Sequence, residues 1–150
     1  MSELLSLLKE FDMAKLMPDM STFLGQLAFW LRLCLLAGPL VLSGLGAVYY
    51  FIPPKEANHA LGFRSRWSMS SVQVWQYAQR LAGMIYMILG GTLFVVMLVM
   101  ALIIGAMEPV GMAITVLVCV IVQMALVIGA HVVIESMLRK HFDQFGDPIK

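Results

Sequence analysis

From Leu81 to Met107 the chain runs for about 27 residues without a charged side chain, far more than the core of a soluble domain calls for. A hydrocarbon layer of roughly 30 Å is crossed by about 20 helical residues, so this run is long enough to span a membrane with tilt. Lipid offers the backbone no hydrogen bonds, which leaves the helix as the natural form for such a run. Leu33 to Ile52 gives another uncharged stretch of about 20 residues, and Val110 to Ile134 a third of about 25. The composition fits: 61% of residues are hydrophobic and 13% charged, where a soluble domain has about 25% charged. These features predict an all-α membrane protein with three transmembrane helices. A net charge of +1 gives no electrostatic case for nucleic acid. Cys34 and Cys119 lie inside apolar runs and read as packed small hydrophobes, not as a disulfide or a metal pair. No cofactor or metal is expected.

Taken in order, residues 1–20 predict a short amphipathic N-terminal helix. Leu4, Leu5, Leu8, Phe11 and Leu16 fall near one face between Ser2 and Met17. The stretch lacks the basic start and continuous apolar core of a secretory signal. It would lie in the membrane interface or dock on a partner, and Met17-Pro18-Asp19 ends it. A membrane domain then fills residues 21–150, with spans at about 33–52, 81–107 and 110–134 and a polar loop at 53–80. The first helix would begin near Ser21 or Thr22, with Trp30 and Arg32 as interface anchors and Tyr49, Tyr50 and Phe51 as an aromatic belt at its other end. Gly38, Ser43, Gly44, Gly46 and Ala47 in the first span, and Gly83, Gly90, Gly91 and Thr92 in the second, are positions where helices can approach closely. Ser70-x-x-Gln73 has the form of a capping box, which starts the second helix near Ser71. Glu108-Pro109 is a minimal turn that makes the last two spans antiparallel neighbours.

Three spans put the termini on opposite sides. The side with the loop and C-terminal tail carries Lys55, Arg64, Arg66, Arg80, Arg139, Lys140 and Lys150, against Lys9, Lys15 and Arg32 on the other. The positive-inside rule then places the loop and C-terminus in the cytoplasm and the N-terminus outside.

No HExxH, GxSxG, P-loop or CxxC motif occurs, so no enzyme is expected. His59 beside Glu56 does not make a metal site. In the third span Gln123, His131 and Glu135 are spaced by eight and four and share a helix face. Gln123 reads as a hydrogen bond to a neighbouring helix or as a substrate contact. His131 and Glu135 read as a proton-responsive pair or as ordinary headgroup-layer residues. The loop is richer. Asn58, Arg64, Arg66, Gln73 and Gln76 bring donors beside Phe63, Trp67 and Trp75. Such arginines can grip a phosphate or carboxylate, or brace the loop from within; spacing leaves both open.

The order Pro54, Asn58, Gly62-Phe63-Arg64-Ser65, Met69-Ser70 and Trp75 before a glycine-bearing span resembles the SdpI family of bacterial membrane proteins, over about Leu33 to Ile134. The chain departs from the family pattern in several places. Asn58 is four residues after Pro54, Ser65 replaces threonine, Arg66 replaces proline, Val74 replaces an acidic residue, and Ala78-Gln79 stands for alanine-asparagine. The resemblance implies a multi-pass protein of the bacterial cytoplasmic membrane with a non-enzymatic role: immunity to a toxic peptide or signal relay. Asn58, Gly62, Phe63, Arg64, Arg66 and Trp75 would form the contact surface of the loop. Two other roles fit the residues. One is an accessory subunit of a larger transport or secretion complex, docked by the N-terminal helix. The other is an oligomeric small transporter or ion path using Gln123, His131 and Glu135. The expected partners are the lipid bilayer and a protein partner or further copies of the chain.

Overall fold

The structure is a computed structural model that describes residues 20–55, 62–105, 107, 109–143 and 145–149. The expected N-terminal amphipathic helix lies outside these residues, as do Glu56, Asn58, His59 and Glu108. Three helices follow one another: α1 at Met20–Phe51, α2 at Val72–Ile104 and α3 at Pro109–His141. Each holds a stretch long and apolar enough to cross a membrane, at Gly25–Phe51, Val72–Ile104 and Val110–His141. Every helix extends past at least one end of its apolar run. Helices end where backbone hydrogen bonding ends, and the 33 residues of α2 make about 50 Å of helix, well beyond the hydrocarbon layer.

The second helix starts near Ser71 as expected, but its cap is Ser71 itself and not the Ser70 of the capping box. Ser71 is the N-cap, extended in backbone, and its Oγ accepts from Val74 N at 3.2 Å. Ser70 instead donates its hydroxyl to Trp67 O at 2.8 Å, inside the loop. The third helix opens on Pro109, a position where the missing N–H costs nothing.

The bundle is built on close contact between α1 and α2. A Cβ on Gly83 would sit 2.5 Å from Tyr50 N, and one on Gly90 would sit 2.5 Å from Ser43 N. A Cβ on Gly46 would strike the backbone at Met87. Gly44 and Gly91 have nothing within 4 Å of such a Cβ, so they are not part of this seam. The third helix joins the pair through two layers. One, near the α2–α3 turn, contains Leu35, Met97, Ile104, Met112 and Val116. The other, near the loop, contains Phe63, Val74, Ala78, Ile134 and Leu138. Arg32 lies against Gly105, where a cation complements the C-terminal end of the α2 dipole. Cys34 and Cys119 are both free thiols.

Between the two layers a polar clip ties α3 to α1. Pro39 lies inside α1. Proline has no N–H, so the carbonyl four residues earlier, that of Leu35, loses its helical donor. Gln123 Nε2 donates to that same Leu35 oxygen at 3.3 Å. Gly38 leaves the space, since a Cβ there would lie 2.9 Å from Gln123 Oε1. A neighbouring helix thus satisfies a carbonyl that proline freed in a medium without water. Gln123→Leu is expected to lower stability by about 1 kcal/mol. In a Pro39→Ala background the restored N–H takes the carbonyl, and the cost of Gln123→Leu falls toward zero. Thermal unfolding of the four proteins of this cycle in detergent measures the coupling; equal costs in both backgrounds would refute it.

Candidate functional site

The loop between α1 and α2 folds back into the end of the bundle as a plug. Trp75, fully buried on the first turn of α2, donates its indole N–H to Pro54 O at 2.9 Å. Gly62 has φ +122, a backbone conformation open to glycine, and a Cβ there would sit 2.9 Å from the Trp75 ring and from Gln79 Oε1. Its N–H donates to Tyr49 Oη at 3.3 Å, tying the loop to α1. Phe63, 3% exposed, is held at both backbone groups by one side chain. Gln79 Oε1 accepts from Phe63 N at 2.7 Å, and Gln79 Nε2 donates to Phe63 O at 3.0 Å.

The next turn closes on a buried serine. Ser68 Oγ accepts from Ser65 N at 2.8 Å and lies 3.1 Å from Phe63 O and 3.0 Å from Ser65 O. Ser65 Oγ accepts from Ser68 N at 3.1 Å in return. Phe63 belongs to a buried cluster with Ala78 and Ala82 of α2 and Ile134 and Leu138 of α3, with the His131 ring centroid 4.5 Å from its own.

This geometry divides the residues read from the sequence as a contact surface. Phe63 and Trp75 are buried as braces, and Gly62 is half-buried beneath them. Arg64 and Arg66 are exposed on the outside of the plug. Gln79, the centre of the clamp, was not singled out in the sequence. Its signal is a polar residue among Trp75, Ala78, Ala82 and Gly83 on the inner face of α2.

The intramembrane polar set also separates. Gln123 is occupied by Leu35 O. His131 faces Phe63. Glu135 pairs with Arg139 at 2.7 Å and not with His131. Among the described residues no hydrogen bond joins these three to one another.

Arg139 lies over the Trp67 ring, 5.8 Å from its centroid. Beside it, His131, Val132, Glu135, Ser136 and Arg139 line an open groove of about 320 Å³. The C-terminal tail lies against the start of α2, with Gly146 close to the Ser70 and Ser71 hydroxyls. Asp143 Oδ1 accepts there from Phe145 N at 2.9 Å and Asp147 N at 2.8 Å. The described part of the loop, residues 62–71, is thus held by its own hydrogen bonds and by α1 and α2, with Arg64 and Arg66 exposed, beside a groove on the last turns of α3.

A model of the SdpI/YfhL protein family matches residues 55–134. The match takes in the loop, α2 and most of α3; it starts later than the Leu33 expected from the sequence and leaves α1 outside. No curated protein and no solved structure matches the chain.

Proposed function

The chain belongs to the SdpI/YfhL protein family, and from that premise we propose that it is a small, non-enzymatic bacterial membrane protein that confers immunity to a toxic peptide or relays its presence. The loop and C-terminus face the cytoplasm in this reading, as the excess of lysine and arginine on that side supports. The observation that carries the reading is the division of the loop. Its aromatic and glycine residues serve the fold, while Arg64 and Arg66 are exposed. A surface of fixed shape with outward guanidinium groups suits recognition of an acidic partner.

Arg64→Ala is expected to reduce survival under toxin at least tenfold, about the worth of one charge-assisted hydrogen bond. The amount of protein in the membrane and its thermal unfolding should stay at the parent level. Unchanged survival would remove the loop from the mechanism.

A further inference from the structure

We propose that the groove on α3 lined by His131, Val132, Glu135, Ser136 and Arg139 seats the phosphate head of an anionic phospholipid. Arg139 and Ser136 are its donors. The acyl chain lies along the row Val132, Ile128 and Met124. The inference is independent of the immunity reading. Glu135, Ser136 and Arg139 lie past residue 134, where the family match ends, while His131 and Val132 lie within it.

The placement along the helix comes first. Met124, Ile128, Val132 and Ser136 are four residues apart and form one ridge of α3. The three apolar members are 57%, 59% and 62% exposed, so the ridge faces lipid and not the bundle. About 22 Å of helix separates Met124 from Arg139. The ridge therefore runs from within the hydrocarbon to the depth where a phospholipid carries its phosphate. A soluble acidic peptide would have no use for the apolar half of this track.

The polar end is set in advance. Arg139 is held on one side by Glu135 at 2.7 Å and lies over the Trp67 ring, which limits its rotation. A guanidinium carries five N–H donors in a planar fork suited to phosphate. The Arg139 side chain remains 58% exposed, so the fork stays open on its outer side. Arg66, an exposed cation, directly precedes the Trp67 over which Arg139 lies, so two cations stand on this side against Glu135.

Native mass spectrometry of the detergent-purified full chain tests the site, with phosphatidylglycerol and phosphatidylcholine of matched acyl chains as probes. Phosphatidylglycerol should bind more tightly. Arg139→Gln should weaken it about tenfold and Ser136→Ala about threefold. Ser136 is exposed, so its variant reports on binding even if Arg139→Gln unfolds. Lys140→Gln, on the next helical position and off the ridge, should leave binding unchanged. Millimolar inorganic phosphate should not displace the lipid, because it lacks the chain that lies on the ridge. Three results would each overturn the proposal: no preference between the lipids, an equal loss with Lys140→Gln, or displacement by inorganic phosphate.

Discussion

A Gly83→Leu protein is expected to insert into the membrane but fail to form the bundle. A Cβ on Gly83 would sit 2.5 Å from Tyr50 N and 2.9 Å from both Gly46 O and Tyr49 C. All three are backbone atoms of α1, so no rotamer change relieves the clash; the helices must part. Ordinary overpacking of a side-chain core costs about 1–3 kcal/mol, and a clash with a facing backbone lies at the top of that range or above it. Parting α1 from α2 also takes Tyr49 from Gly62 and Pro54 from Trp75, so the loop loses two of its ties. Insertion should persist, because leucine raises the apolar character of the span. Gly91→Leu is the matched control, since nothing lies within 4 Å of a Cβ there. The expected readout is a broad, aggregating profile in detergent and rapid proteolysis of the loop for Gly83→Leu. Gly91→Leu should match the parent protein. Similar behaviour of the two variants would show that the seam does not hold the bundle.

These paired glycines mark the boundary of what the sequence makes legible. The three spans follow from the length of the uncharged runs, because lipid admits few other backbone forms. Which small residues meet is a different matter. It depends on the rotation of each helix about its axis, which a list of small residues does not contain. Gly46, Gly83 and Gly90 form the seam while Gly44 and Gly91 stand clear of it. The clip from Gln123 to Leu35 joins residues far apart in the chain, and the reason for it, the donor missing at Pro39, becomes visible only when α3 is placed beside α1. The Glu135–Arg139 pair was within reach of the sequence. A glutamate four residues before a basic side chain is the favourable helical order, and the competing pairing with His131 obscured it. The family motif could not distinguish residues that build the loop from residues that present a surface. That distinction needs the burial of Phe63 and Trp75.

Gln79→Leu tests whether that inner scaffold governs the outer face. Leucine nearly matches glutamine in volume, so packing on α2 survives while both backbone groups of Phe63 lose their partner. The two bonds, at 2.7 and 3.0 Å, are buried. A stranded buried N–H costs about 1–3 kcal/mol. The carbonyl loses less, because Ser68 Oγ also lies 3.1 Å from it. The total, about 2–4 kcal/mol, falls on a loop with few other ties to the helices. The loop should therefore leave the bundle while α1, α2 and α3 remain in the membrane. Trp75 would enter a wetter environment, with its fluorescence shifted to the red. Protease should then cut within residues 62–71, which these bonds hold in the parent protein. Gln79→Glu should fall between the two, since a carboxylate still accepts from Phe63 N but cannot donate to Phe63 O. On the proposed immunity role, protection against toxin should disappear in Gln79→Leu although Arg64 is untouched. Arg64→Ala should lose protection with its loop still resistant to protease. A Gln79→Leu protein with a protease-resistant loop would mean that Phe63 is held by packing alone, and the clamp would lose its place in the account.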